Sequence, residues 1–145
     1  MRPGTLDHLA LWTDRRDELA AFLTRSIGLP EIDRTETWTR LGADGRRRIA
    51  LSDAEGPREP GPLVHVALRV AALAGRPASV EAPGGLRVVL LERAEAEEFE
   101  LDHVALRPTP PPERPLLDHI GVRVEHGPPS AFVTGPDGIL IEYVC

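Results

Sequence analysis

The sequence predicts an α+β fold, with one helix inserted early into a chain that otherwise reads as strands. Three observations carry this. A single stretch, residues 15–27, has apolar residues at helical spacing. Four segments share a strand-like motif with histidine in third place: LDHLALW from Leu6, LVHVALRV from Leu63, LDHVALR from Leu101 and LDHIGVRV from Leu117. Three glycine-centred hairpins also recur, LGADGRRRIAL, EAPGGLRVVLL and TGPDGILIEYV.

The elements follow in order. Leu6 to Thr13 is a strand whose alternation puts Leu6, His8, Ala10 and Trp12 on one face and Asp7, Leu9, Leu11 and Thr13 on the other. The helix runs from Arg15 to Ile27. Thr13 or Asp14 serves as its cap, Asp17 and Glu18 suit its first turn, and Gly28 fits its C-terminal end. Leu19, Phe22, Leu23 and Ile27 form the stripe that needs a sheet to pack on. Thr37–Leu41 and Arg47–Leu51 form a hairpin around Ala43-Asp44-Gly45. Leu63–Val70 is a strand, followed by a turn at Pro83-Gly84-Gly85 into Leu86–Leu91. Leu101–Arg107 and Leu117–Val124 come next, then Ala131–Val133 and Ile139–Val144 around Pro136-Asp137-Gly138.

Two segments read as connections. Residues 53–62 (DAEGPREPGP) are turn-rich and polar. Residues 108–115 (PTPPPERP) carry five prolines, which excludes a helix or a central strand and predicts a stiff surface crossover. The glutamate-rich stretch 92–100 reads as a solvated loop or short helical turn. The chain is expected to be one domain over residues 1–145, with a first unit at 5–53 and an irregular second unit at 63–145.

Composition narrows the function classes. The 145 residues are 41% hydrophobic and 28% charged, which suits a globular chain. Formal charge is −6, and every one of the 17 basic residues is arginine, so lysine Schiff-base chemistry is excluded. The acidic balance and 4% aromatic content argue against a nucleic-acid surface; Arg46-Arg47-Arg48 reads as a solvated turn. No apolar run is long enough for a transmembrane helix, so no membrane partner is expected. MRPGTLDH has no apolar signal core, and cytoplasmic residence is the default expectation. The one cysteine, Cys145, rules out an intramolecular disulfide and a cysteine-based structural zinc site.

The histidines are the candidate chemistry. Each shares its face with small neighbours, as His8 does with Ala10 and His119 with Gly121. Glu142 lies in the apolar strand ILIEYV, where an unpaired buried carboxylate is costly. A metal ion would compensate it, as would pairing with Arg123 or Arg69, or an edge position facing solvent. Two histidines and one carboxylate suit non-haem Fe(II), and the same donors also hold zinc.

LDHLALWTDRRDELAAFLTRSIGL at residues 6–29 and AFVTGPDGILIEYV at 131–144 resemble the opening strand and helix and the closing hairpin of the vicinal-oxygen-chelate superfamily. That group spans glyoxalases, bleomycin-resistance proteins and extradiol dioxygenases. GPLVHVALRV resembles the start of a second module. The resemblance implies paired βαβββ modules whose curved mixed sheet closes around a cavity. Here the second half is degenerate, with reduced helix content. It implies a divalent metal, Fe(II), Mn(II), Zn(II) or Ni(II), held by His8, His65 and Glu142, with His119 competing with His65. It implies no nucleotide cofactor. The first unit's last strand, Arg48-Ile49-Ala50-Leu51, offers no carboxylate, a departure from the four-ligand glyoxalase pattern.

The expected function is a metal-dependent lyase or ring-cleaving dioxygenase acting on a small oxygen-bearing molecule. His103 and His119 are the candidate acid–base residues. Trp12, Trp38 and Arg123 are the candidate ligand contacts. The alternatives are a metal-free drug-type binding protein and a non-catalytic member of the fold. A small-molecule ligand and a homodimer are the expected partners.

Overall fold

The computed structural model describes residues 5–42, 48–95, 99–110, 112–124, 127, 130–134 and 139–144. Strand β1 (Thr5–Thr13) leads into helix α1 (Arg16–Phe22), whose last turn relaxes into a π-helical turn at Leu23–Ile27. The predicted helix is therefore present but changes pitch after Phe22. Gly28 ends it at φ 94°, a left-handed conformation that glycine adopts without steric cost. Thr13 Oγ1 accepts a hydrogen bond from the Arg15 amide at 3.0 Å, but Arg15 itself holds the N-cap position and no side chain caps it, so neither Thr13 nor Asp14 takes the expected capping role. At the other end Arg76 donates to the Ile27 carbonyl at 2.6 Å, placing a cation where the helix dipole favours one.

Strands β2 (Glu31–Arg34), β3 (Trp38–Leu41) and β4 (Arg48–Asp53) complete the first unit. β5 (Leu63–Val70), β6 (Ser79–Glu81), β7 (Arg87–Glu92) and β8 (Glu100–Leu106) follow. β9 (Leu117–Arg123), β10 (Ser130–Thr134) and β11 (Leu140–Val144) close the chain. β2 and β6 were not legible as strands: EIDR and SVE are short, polar and mostly exposed. The Ala43-Asp44-Gly45 and Pro136-Asp137-Gly138 turns, Cys145 and part of the glutamate-rich stretch lie outside the described residues.

The strands form two sheets. One has seven strands in the order β10-β11-β9-β1-β4-β3-β2, the other four in the order β6-β7-β5-β8. Both are mixed. β1 runs parallel to β4 and antiparallel to β9, and β11 runs parallel to β9. Residues 63–145 thus divide between two sheets, because β9–β11 return to the first. The two connections hold each other in place. Glu59 donates its amide to the Arg114 carbonyl at 2.9 Å and accepts from the Leu116 amide at 2.8 Å. That contact pins the proline-rich crossover and delivers β9 to β1.

One apolar core lies between the sheets and under α1. Leu9, Leu11, Leu19, Leu23, Leu41, Ile49, Leu51, Val66, Leu68 and Val88 are all fully buried in it. Alternation along β1, β3 and β4 sends these leucines inward. The opposite face carries His8, Ala10, Trp12, Trp38, Arg40, Arg48, Ala50 and Ser52. Among the described residues no helix is long and apolar enough to cross a membrane.

Leu51 is fully buried. Leu51→Ala should destabilise the chain by about 2–5 kcal/mol through lost burial and a residual cavity, read from the denaturation midpoint at unchanged m-value.

Candidate metal centre

Each of the four histidine motifs carries a β-bulge at the residue before its histidine. In the β1–β9 pair, Leu6 faces Val122 and His8 faces Gly121, so Asp7 is the extra residue. Likewise Ala10 faces His119 and Leu11 faces Leu117, which leaves Asp118 extra. The β5–β8 pair repeats this with Val64 and Asp102. A bulge breaks strict alternation and re-aims the side chain. The expected placement of Asp7 on the face away from His8 therefore fails. Its carboxylate lies 2.7 Å from His8 Nδ1, and Asp118 lies 2.7 Å from His119 Nδ1.

The two histidines meet over a glycine. Phe132, Glu142, Gly121, His8 and Arg48 form one row of register partners across β10, β11, β9, β1 and β4. Glu142 and His8 stand two strands apart, with Gly121 between them. A Cβ at Gly121 would come within 2.1 Å of the His8 ring. Because none is there, the His8 imidazole lies across the backbone of β9. His8 Nε2 reaches His119 Nε2 at 3.0 Å and Glu142 Oε1 at 3.1 Å, and His119 Nε2 lies 3.4 Å from the same oxygen. His8 is buried; the side chains of His119 and Glu142 are each 17% exposed.

The donor chemistry of this triangle is specific. Each Nδ1 faces a carboxylate, which only accepts, so Nδ1 carries the ring hydrogen. In the neutral rings both Nε2 atoms then present bare lone pairs to each other and to Glu142. Three acceptors at this spacing repel unless a cation lies among them. Ligands at about 2.1 Å from one ion stand about 3.0 Å apart at right angles and about 3.4 Å apart at the tetrahedral angle, and the three edges fall in that range. His8, His119 and Glu142 fit a divalent metal ion.

The supporting groups fix these ligands. Asp7 also accepts from Arg123, Nε at 3.0 Å and Nη2 at 2.9 Å. Asp118 accepts from the Trp12 indole at 2.7 Å. Ser130 donates to Glu142 Oε2 at 2.6 Å, which leaves Oε1 aimed at the imidazoles. Burial pushes the Asp7 carboxyl up, but hydrogen bonds from His8 and Arg123 outweigh it and hold the group below its ordinary value. The hydrogen bond from His119, against burial and helped by Trp12, does the same for Asp118.

Of the trio expected from the sequence, the fold brings His8 and Glu142 together with His119, not His65. His65 stands on β5 in the other sheet, 3.0 Å from His103. Burial, then His103 and Arg87, lower the pKa of its imidazole. His103, the other expected acid–base residue, shares that sheet, and His119 stands in the candidate ligand triangle. Arg123 braces Asp7 rather than facing a ligand. Trp12 and Trp38 both flank Ser52 in register, on the face that carries His8. Arg58 lies over Trp12 and Arg40 over Trp38. Tyr143 is opposite Val122, one residue out of step with Glu142, as alternation predicts.

Sequence reading missed Asp7, Asp118 and Ser130. Aspartate precedes histidine in three of the four motifs, and that repetition was the available signal. Ser130 gave none, since its contact depends on the β10–β11 register.

Asp118→Asn should weaken metal binding by about 10–100-fold by loosening the His119 tautomer, measured by competition with a chromophoric chelator. Gly121→Ala should displace the His8 ring and cost about 1–3 kcal/mol of stability together with the metal site. Asp7 and Asp118 have lowered carboxyl pKa values, so their contribution to stability is complete above the ordinary aspartate value of about 3.9 and is lost as pH falls through the folded values. Stability should therefore fall below about pH 4, and Asp7→Asn should flatten that loss in urea melts.

The chain was compared with known proteins. Residues 5–143 match the family model described as Glyoxalase/Bleomycin resistance protein/Dioxygenase superfamily. Among solved structures, a putative glyoxalase family protein from Bacillus anthracis aligns over 64% of this chain and 99% of its own, at 20% identity and a TM-score of 0.50. A putative dioxygenase from Bacillus subtilis aligns over 99% of this chain and 64% of its own, at 16% identity and a TM-score of 0.52. The cppA protein from Streptococcus pneumoniae aligns over 99% and 72%, at 11% identity and a TM-score of 0.51. These likenesses concern the fold. Comparison with curated proteins gives no match. The family model spans both sheets and all three residues of the triangle, and the chain belongs to the glyoxalase/bleomycin resistance protein/dioxygenase superfamily.

Proposed function

We propose that this protein is a metal-dependent enzyme that holds one divalent ion at His8, His119 and Glu142 and acts on a small molecule that chelates the ion through two oxygens. The observation that carries the reading is the convergence of two carboxylate-backed Nε2 lone pairs and one carboxylate oxygen within one triangle. Three protein ligands on one side leave coordination positions for substrate.

Of the two reaction classes expected, ring cleavage of an aromatic diol has the better support. β4 places Arg48, not a fourth ligand, in register with His8. The adjoining sheet face carries the small residues Ala10, Ala50 and Ser52 between Trp12 and Trp38, with Arg40 and Arg48 on the same face, and its small and aromatic members suit a planar ring. Phe132 is 54% exposed and stands edge-on to His119 at 5.6 Å. When bound, the ion would supply Lewis acidity and, if it is iron or manganese, a route for oxygen chemistry. The chain's own part is to hold the two imidazoles in one tautomer, fix Glu142 through Ser130 and seat the ring of the substrate beside the ligands. A homodimer belongs to the same proposal. Phe132, Val133 and Tyr143 are exposed on the β10–β11 hairpin beside the site, an apolar edge that a second copy would cover.

Elemental analysis after anaerobic, tag-free purification tests the metal. One iron or manganese ion per chain, with oxygen uptake on adding catechols, is the expected result. One zinc or nickel ion with no oxygen uptake would overturn ring cleavage in favour of lyase chemistry. No ion after incubation with Fe(II) and Zn(II) would overturn the enzyme reading. Glu142→Gln should then remove both the ion and the activity while leaving the fold's thermal transition in place.

A further inference from the structure

The four-stranded sheet carries a second histidine pair built on the same plan. His65 faces Ala105 and His103 faces Ala67, the register in which His8 faces Gly121 and His119 faces Ala10. The Nε2 atoms are again 3.0 Å apart, and the rings again meet edge to face, with centroids at 5.2 Å against 5.1 Å in the first pair. Asp102 lies 2.6 Å from His103 Nδ1, and Arg69 lies 2.9 Å from Asp102. Arg123 braces Asp7 in the same way.

Two differences set the chemistry of this pair. The residue before His65 is Val64, so the bulge that supplies a carboxylate in the other three motifs supplies none here. His65 is therefore free to carry its hydrogen on Nε2 and donate it to His103, and the metal-free pair is a neutral hydrogen bond. Second, β8 ends its sheet among the described residues, where β9 continues to β11 and Glu142. Among the described residues no strand beyond β8 delivers a carboxylate to a third corner.

We propose that His65 and His103 form a second, weaker site for an imidazole-preferring divalent transition-metal ion, with zinc, nickel and copper(II) the fitting class. Asp102 already holds the His103 hydrogen on Nδ1, which leaves a bare Nε2 lone pair facing His65. Binding needs only that the His65 hydrogen move from Nε2 to Nδ1, a tautomer change that breaks no carboxylate contact. The nearby cations are offset. Arg69 is paired with Asp102, and Arg87 lies 3.8 Å from Glu81. The His103 side chain is 46% exposed, so water completes the coordination shell. The weakness follows from two neutral ligands standing where the first site has two imidazoles and a charge.

This site does not depend on the first one being occupied, and one experiment separates them. Zinc is titrated into the full chain against a chromophoric competitor, for wild type, Glu142→Gln, His65→Ala and His103→Ala. The expected result is two equivalents in wild type, a tight one and a weak one. Glu142→Gln loses the tight equivalent and keeps the weak one. His65→Ala and His103→Ala each lose the weak one and keep the tight one, and Asp102→Asn weakens it about 10-fold. A single equivalent in wild type that His65→Ala leaves unchanged would overturn the proposal. So would a weak equivalent that survives in both histidine variants. Because the His65 and His103 variants sit at half-buried and exposed positions of one strand pair and Glu142→Gln is near-isosteric, unchanged circular dichroism controls for folding.

Discussion

The structure depends on a repulsion. Two imidazoles, each committed by an aspartate to carry its hydrogen on Nδ1, point their remaining lone pairs at one another and at a carboxylate. With both rings neutral, no ring hydrogen lies between them, and a shared cation is what would join the three groups. Such an arrangement is costly in the absence of a cation, and the surrounding structure is organised to maintain it. Arg123 and Trp12 hold the aspartates, Ser130 holds the glutamate, and Gly121 leaves out the side chain that would keep His8 and Glu142 apart. A fold selected for stability alone would gain by replacing one of these groups with a hydrocarbon.

The recurring LxH segment explains how the chain builds this geometry twice. Each copy bulges at its second residue, and two copies lie antiparallel, so that each histidine sits beside a small residue of its neighbour. What separates the two pairs is local. An aspartate in place of Val64, and a further strand beyond β8, would turn the second pair into a copy of the first. The difference between a three-ligand centre and a two-ligand pair thus lies in one bulge residue and one sheet edge.

Much of the fold was legible because it rests on local pattern. The helix stripe at Leu19, Leu23 and Ile27, the Gly28 terminus and the Leu63–Val70 strand follow from periodicity and capping chemistry. The ligand types were legible too, since a carboxylate in ILIEYV and histidines beside small residues are unusual on chance. The choice between His65 and His119 was not. It depends on β9 crossing back to pair with β1 while β5 pairs with β8, and that pairing is fixed by long-range contacts such as Glu59 to Arg114 and Leu116. The role of Asp7 was hidden for a different reason. Alternation assigned it to the far face, and only the bulge opposite Gly121 brings it back to His8. β2 and β6 were hidden because short, exposed edge strands carry no apolar alternation.

The central claim is that His8, His119 and Glu142 share one cation. Crystals of the native protein, with anomalous diffraction recorded at the edge of whichever metal elemental analysis finds, test it directly. The structure predicts one strong peak bonded to Nε2 of both histidines and to Oε1 of Glu142, at about 2.0–2.2 Å from each. A chain that carries metal with no peak in that triangle, or with its strong peak between His65 and His103, would contradict it.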